Sequence, residues 1–377
     1  MTSQTPWSLT DLLTHLSAMS GRSRDQARAM PGAFYTSPEF TQLERDTLFR
    51  SQWVCIGHEG EVRSSGDYFT TELVDEPLLV VRDPSGAVRV LSNVCRHRGS
   101  TVAQGAGNAN RFVCGYHGWS YALDGRLLAA PLITETDGFK KKACALPTLA
   151  CELWYGYIFV NLDGQAAPLG PTLAAAQPMI SNYHPEQQHH LFAAEEVWNT
   201  NWKNLVENFM EGYHLSPLHA KTLHPVTPTA LCEKLPDGPA FTGYRSNFNP
   251  EYPERGPFHK DLTRQEQRSD VFYCVYPSFV VGFCPNFTLY MCLRPLTTGT
   301  VGIRWGVTGV ADDPTSKLVT DYVEFCRQFS AEDRMQMERL QVGLQSRHYV
   351  PGPLAPDAFE GTIADFWQYM SRQLGSG

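Results

Sequence analysis

The sequence lacks a basic excess: 31 Lys and Arg stand against 39 Asp and Glu, a formal charge of −8. Nucleic-acid binders normally carry the opposite balance, so that class is not expected. It also lacks any run near the roughly 18 apolar residues that cross a bilayer, which argues against a membrane protein. Met1 to Pro6 do not follow the basic-then-apolar order of a secretory leader, and a cytoplasmic location is the default expectation. Charge is sparse, at 19% against 42% hydrophobic residues, which excludes a disordered chain. No internal repeat is visible. Cysteine is scarce too, 10 residues in 377, so a disulfide scaffold is not expected and metal-binding, catalytic or buried thiols are.

What is present changes character along the chain. Trp7, Leu9, Leu12, Leu13 and Leu16 have helical spacing, and Pro31-Gly32 breaks the pattern. From about Leu48 to Leu162, short β-type runs alternate with turn signals such as Ser65-Gly66-Asp67, Asp83-Pro84-Ser85-Gly86 and Asp124-Gly125, the texture of a small all-β domain. The Ala- and Pro-rich stretch Gln165 to Pro178 reads as a linker. Beyond it a helix is predicted over Trp202 to Tyr213, strands over Phe272 to Phe283, Phe287 to Arg294 and Thr300 to Val310, and helices from Pro314 to Leu344. Phe287, Leu289, Met291 and Leu293, with Val301, Ile303, Trp305 and Val307, should line one packed face of an antiparallel sheet. The fold class is α+β. The expected division is 1–45 as an N-terminal helical part of the catalytic domain, 46–164 as the β-domain and 165–377 as the catalytic domain proper.

Two constellations carry chemistry. Cys95-Arg96-His97 lies in one turn region, and Cys114-Gly115-Tyr116-His117 follows in a second. A lone cysteine or histidine, such as Cys232 or His259, reads as a small buried side chain or a hydrogen-bonded ring. Two Cys/His pairs flanked by Gly99, Gly115 and Gly118 read instead as two ligand loops. One tetrahedral zinc uses such a quartet, and so does a [2Fe–2S] centre with both thiolates on one iron and both imidazoles on the other. Gly105-x-Gly107 is no dinucleotide fingerprint, because Asn110 occupies the third glycine position.

The second constellation runs from Asn201 to His219. On an ideal helix the rings of His214 and His219 diverge by about 140°, too far for one ion. Pro217 is expected to distort the backbone between them. Two histidines and one carboxylate with open positions describe a non-haem Fe(II) site. Glu207, Glu211, Glu332 and Asp333 are the carboxylates to weigh. Asp333 shares an apolar face with Met337, Leu340 and Leu344, whereas Glu332 sides with Gln336 and Arg339. A carboxylate on a buried face needs a partner, which favours Asp333 as the third ligand. Glu207 reads as a solvated helix carboxylate.

Cys95-Arg96-His97-Arg98-Gly99 followed by Cys114-Gly115-Tyr116-His117-Gly118-Trp119 resembles the ligand signature of Rieske non-haem iron oxygenases, terminal oxygenase alpha subunits of the ring-hydroxylating family. Tyr121, Leu123, Asp124-Gly125 and Pro131 also suit that family. The resemblance implies a Rieske [2Fe-2S] domain inserted in a helix-grip (START-like) antiparallel-sheet catalytic domain with long helices. It implies a [2Fe–2S] cluster on Cys95, His97, Cys114 and His117 and a mononuclear Fe(II) on His214, His219 and Asp333. Glu211-x-x-His214-x4-His219 is similar to the family motif in which the acid bridges to a cluster histidine of a neighbouring subunit, so Glu211 is the expected bridge in a homotrimer. The partners implied are a separate flavin- or ferredoxin-type NAD(P)H-dependent reductase, O2 and a small substrate.

Glutamate at 211, where ring hydroxylases more often have aspartate, resembles the branch acting on quaternary ammonium compounds such as carnitine, choline and glycine betaine. Hydroxylation beside nitrogen then leads to C–N cleavage or N-demethylation. An aromatic cage is the physical expectation for such a cation, with Phe209, Tyr213, Tyr276, Phe279, Phe283, Tyr290 and Trp305 as candidates. The alternatives are hydroxylation of an aromatic or aromatic-carboxylate ring, and a zinc-stabilised binding module without redox chemistry.

Overall fold

The structure, a computed structural model, describes residues 7–19, 26–136, 138–254 and 256–375. The chain divides into two compact units, Phe49–Ala167 and the described residues of Met1–Leu48 with Pro168–Gly377. Among the described residues no helix is long and apolar enough to cross a membrane.

The first unit is built from short antiparallel strands: β1 (Val54–His58), β2 (Asp67–Leu73), β3 (Glu76–Arg82), β4 (Val88–Ser92), β5 (Ala106–Asn108), β6 (Phe112–Val113), β7 (Ser120–Tyr121), β8 (Leu127–Ala129), β9 (Ala150–Trp154) and β10 (Tyr157–Asn161). They form three sheets, ordered β1-β10-β9, β4-β3-β2-β5 and β6-β7-β8. Leu79, Val81, Leu91, Phe112, Trp119 and Tyr121 share one core with Cys95 and Cys114. The turn at Asp124-Gly125 needs its glycine: φ is +87°, and a Cβ there would lie 2.9 Å from the Leu146 carbonyl oxygen.

The second unit opens with helices α1 (Leu9–Met19), α2 (Ala33–Thr36) and α3 (Pro38–Glu44), and resumes with α4 (Leu169–Leu173) and α5 (Gln177–Ile180). The stretch read as a linker is therefore partly helical, because Leu169 and Leu173 are buried and dock it. A seven-stranded antiparallel sheet follows, ordered β11-β17-β16-β15-β14-β13-β12. Its strands are β11 (His189–Trp198), β12 (Cys232–Lys234), β13 (Phe241–Asn247), β14 (Ser269–Val275), β15 (Phe279–Phe283), β16 (Phe287–Thr297) and β17 (Thr300–Gly309). The single strand predicted over Phe272 to Phe283 is two strands, since Tyr276-Pro277-Ser278 turns the chain and β14 pairs with β15.

Helix α6 (Trp202–Phe209) starts at Asn201, whose side chain accepts the Lys203 N–H. It is buried almost all round and packs against β16, β17 and two long helices, α8 (Lys317–Leu344) and α9 (Asp357–Leu374). Short α7 (Leu215–Leu218) lies between α6 and β12. Lys203 is fully buried in an ion pair with Glu44 at 2.6 Å, and Glu44 also accepts from the Trp202 indole at 3.0 Å. Such a pair fixes where α6 lies, because either charge alone in that place would be costly. Helix α8 is one continuous element with Val319, Val323, Cys326, Asp333, Met337, Gln341 and Leu344 on its buried stripe.

Candidate metal centres and cavity

The two loops of the β-unit repeat one hydrogen-bond pattern. The Gly99 N–H donates to the Cys95 carbonyl and the Gly118 N–H to that of Cys114, each at 3.0 Å, while the two cysteine N–H groups donate to Ser100 and Trp119 carbonyls at 2.8 Å. Glycine closes both loops at positive φ, +79° at Gly99 and +73° at Gly118. The thiols of Cys95 and Cys114 are buried, whereas His97 and His117 are exposed at the loop tips. Their ring centroids are 4.6 Å apart, and His97 stacks on Trp119 at 4.9 Å. The Tyr121 hydroxyl lies 3.2 Å from Cys95 Sγ and accepts the Arg96 N–H at 3.0 Å. Burial pushes the Cys114 thiol up, but hydrogen bonds from the Tyr116 N–H, the Cys95 side chain and the His117 N–H bring it below its ordinary value. Sulfur donors inside and imidazoles outside suit a redox group whose histidine edge meets a partner.

In the second unit the predicted helix over Trp202 to Tyr213 ends at Phe209, before either histidine. Gly212, past the helix end, lets the chain pass close to β12: a Cβ there would collide with Cys232 Sγ. Pro217 is not the source of the distortion, because it sits inside the next helical turn, α7, with His214 at its N-terminal boundary and His219 at its C-terminal one. The two rings therefore project from opposite ends of a short turn and reach 5.1 Å between centroids.

His214, His219 and Asp333 offer donor atoms within 4.8 Å of one another. Asp333 Oδ1 lies 3.0 Å from Nε2 of His219 and 3.7 Å from Nε2 of His214, and it accepts from the Asn208 amide at 3.0 Å. Each ring is held at its far nitrogen by another carboxylate. Glu211 sits 2.5 Å from Nδ1 of His214, and Glu332 sits 2.6 Å from Nδ1 of His219. Glu211 also accepts the N–H groups of Tyr213 and His214, and Glu332 accepts the Thr222 hydroxyl at 2.6 Å. Carboxylates at Nδ1 fix ring orientation and leave Nε2 free for a metal. Burial pushes the His214 imidazole down, but the charges of Glu211 and then Asp333 carry it above its ordinary range. The donor set, two imidazoles and one carboxylate facing open space, fits a non-haem iron. Glu332, unassigned in sequence, orients His219. Its position beside Asp333 held no periodic signal that marked this role.

Glu207 is not solvated. It accepts from the Tyr35 hydroxyl at 2.7 Å and the Trp367 indole at 2.6 Å, and burial pushes it up to about 7.

A cavity of about 620 Å³ opens onto this cluster, reaching Asn208, His214 and Asp333. Of the aromatics proposed for a cage, Phe209 lines it and the others do not. Residues paired across the sheet share a face, and Tyr244, Phe272, Gly282 and Leu289 form one such row toward the cavity. Phe279, Phe283 and Tyr290 are one residue out of step with Gly282 and Leu289, so they face the other side. Phe283 meets Tyr183 there, and the Tyr290 hydroxyl lies 3.3 Å from His190. Tyr276 is in the β14–β15 turn, stacked on Tyr369 at 4.4 Å. The Trp305 indole donates to Glu196 beside Phe192. Tyr213 is 55% exposed. The walls are instead Tyr244, Phe248, Tyr252, Phe272, Phe287, Tyr322, Phe325 and Phe329, with Glu254, Asp270 and Asp321 among them. Tyr244 and Phe272 stack at 4.9 Å, and Gly282 leaves room for the Phe272 ring, which a Cβ would meet at 2.6 Å.

Residues 180–376 match the family "Ring hydroxylating alpha subunit (catalytic domain)", and residues 52–143 match "Rieske [2Fe-2S] domain". The chain is 32% identical over 197 residues to the carnitine monooxygenase oxygenase subunit of Escherichia coli K12, covering 52% of this chain and 53% of that protein. It is 33% identical over 204 residues to the glycine betaine monooxygenase oxygenase subunit of Chromohalobacter salexigens, covering 54% and 46%. The chain spans about half the length of the curated relatives it matches. Its fold is similar to that of a quaternary ammonium Rieske monooxygenase, CntA, in complex with L-carnitine: TM-score 0.80, 24% identity, 93% of this chain and 97% of that one. It is also similar to that of a naphthalene 1,2-dioxygenase from Rhodococcus sp. bound to indole, at TM-score 0.81 and 20% identity over 97% and 98% of the two chains.

Proposed function

Because this chain belongs to the ring-hydroxylating alpha-subunit family and carries a Rieske [2Fe-2S] domain, we propose that it is the terminal oxygenase component of a Rieske system acting on a small quaternary ammonium compound. The observation that carries this reading is the opening of the His214, His219 and Asp333 cluster into a cavity walled by aromatic faces and carboxylates.

The cluster would be held by Cys95, His97, Cys114 and His117, and the mononuclear iron by His214, His219 and Asp333. When bound, the iron supplies O2 activation with electrons that enter through the cluster. Glu211 and Glu332 hold the iron-site imidazoles by their Nδ1 atoms, and Glu211 is the proposed bridge to a cluster histidine of a neighbouring subunit in a homotrimer. A separate NAD(P)H-dependent flavin- or ferredoxin-type reductase supplies the electrons, in a cytoplasmic setting.

A methylated ammonium offers no N–H to donate, so its recognition falls to aromatic faces and to net negative charge. Tyr244, Phe248, Phe272, Phe325 and Phe329 supply the first, and Asp270 contributes to the second, Glu254 and Asp321 being paired with Arg264 and Lys317. One O2, two electrons, two protons and the substrate give water and a product hydroxylated beside nitrogen. That carbinolamine then collapses to an amine and an aldehyde.

The test is O2 uptake and aldehyde release by the iron-replete protein with a reductase, offered trimethylammonium compounds and aromatic acids in parallel. Aldehyde stoichiometric with O2 for a methylated ammonium is expected. Uptake with aromatic acids alone overturns the substrate assignment, and zinc without iron or acid-labile sulfide overturns the oxygenase reading.

A further inference from the structure

Among the described residues a second group of metal-donor atoms lies away from the iron cluster: His184, His259 and Asp261. In sequence His184 lies far from His259 and Asp261, and each is unremarkable. Folding brings one Asp261 carboxylate oxygen to 2.9 Å from Nε2 of His184 and 3.7 Å from Nδ1 of His259. The corresponding separations in the cluster assigned to iron are 3.0 and 3.7 Å. Donors placed about 2.0–2.1 Å from one tetrahedral zinc are roughly 3.3 Å from each other. Both groups bracket that spacing.

Further observations point the same way. The imidazole centroids of His184 and His259 are 4.0 Å apart, nearer than the 5.1 Å between His214 and His219. Glu186 lies 3.0 Å from Nδ1 of His184, with the Gln187 amide also at 3.0 Å. Glu186 thus repeats the arrangement of Glu211 on His214, leaving Nε2 directed at Asp261. On His259 the Asp261 N–H approaches Nδ1 at only 3.4 Å, a long contact that a metal would replace. His184 itself adopts left-handed backbone geometry, φ +47° and ψ +57°, immediately before Pro185. A non-glycine residue held there is strained, and strain of this kind clusters at ligand-binding positions.

We infer that His184, His259 and Asp261 form a second site for a divalent transition metal such as zinc, completed by water and separate from the iron site. His259 and Asp261 lie on the segment between β13 and β14, whose Tyr252, Glu254 and Gly256 line the cavity. A metal here fastens that segment to the turn at His184 and so steadies one cavity wall.

The experiment uses the full, iron-loaded protein, stripped of loosely held metal, equilibrated with Zn2+ and dialysed. One zinc per chain beyond the iron is expected, with an anomalous diffraction peak across the zinc edge among the three side chains. His259→Gln and His184→Asn should each lose that zinc while keeping their iron, asparagine being chosen because it tolerates left-handed geometry. Zinc that merely displaces iron is identified in a His219→Ala background, where the second-site zinc must persist. Hydrogen exchange of amides 258–263 should slow on zinc addition. A peak only at His214 and Asp333, no bound zinc, or equal zinc in wild type and both variants overturns the site; the wild-type map decides even if a variant does not fold.

Discussion

Glu332 lies 2.6 Å from Nδ1 of His219, and that contact turns Nε2 of the same ring toward Asp333. Adjacent residues on α8 therefore do different work on one imidazole: Glu332 holds it from behind and Asp333 meets it in front. An ionised carboxylate can only accept, so Glu332 binds a proton on Nδ1, and Nε2 is the nitrogen that a metal shared with Asp333 would take. Glu332→Ala should weaken iron binding about 10- to 100-fold, as removal of such supporting partners does. Iron content against a graded chelator measures it, with the cluster absorbance as an internal control. Unchanged iron retention removes the orienting role.

Glu211 stands in the same relation to His214, at 2.5 Å. Glu211→Ala should leave the visible cluster spectrum intact and stop turnover, because the proposed path between subunits runs through this carboxylate. Stopped-flow oxidation of the reduced cluster in the presence of substrate and O2 reads the step directly. Normal cluster oxidation in the variant would contradict the bridge.

The Tyr121 hydroxyl lies 3.2 Å from Cys95 Sγ and would stabilise added negative charge on that sulfur in a reduced cluster. One such hydrogen bond is worth about 1 kcal/mol, roughly 40 mV for one electron. Tyr121→Phe should lower the cluster potential by about that amount without loss of iron or sulfide. Redox titration followed by absorbance is the measurement, and an unchanged or higher potential refutes the assignment.

Burial raises Glu207 from about 4.5 to about 7, against the hydrogen bonds of Tyr35 and Trp367. The folded state thus favours the protonated form. Its contribution to stability is complete below about pH 4.5 and is lost as pH rises through 7, at about 1.4 kcal/mol for each pH unit crossed between the two. Glu207→Gln should flatten the fall in denaturant stability between pH 5 and 7.5. An equal slope in wild type and variant shows that another group is responsible.

The sequence by itself singled out Cys95, His97, Cys114 and His117, grouped His214 with His219, and favoured Asp333 over Glu332 as the third donor. Paired Cys/His loops and a buried helical stripe point to these residues, and the ligand sets themselves follow from the family resemblance. The sheet face carrying Phe287 and Leu289 was legible too, since a period of two fixes which side a residue takes. Only the tertiary structure decided what surrounds those donors. The helix ends at Phe209, well before Pro217, and only the fold shows why Gly212 follows, since Cys232 from a distant strand leaves no space for a Cβ there. The cavity walls come from rows across several strands and from α8, so Tyr290, one residue from Leu289, falls on the other face. Glu207 looks like a solvated helix carboxylate, and Glu332 sides with Gln336 and Arg339, until Tyr35 and Trp367 close on the first and His219 on the second. Histidines 184 and 259, each ordinary in its own stretch of chain, become neighbours through a contact that no sequence period encodes.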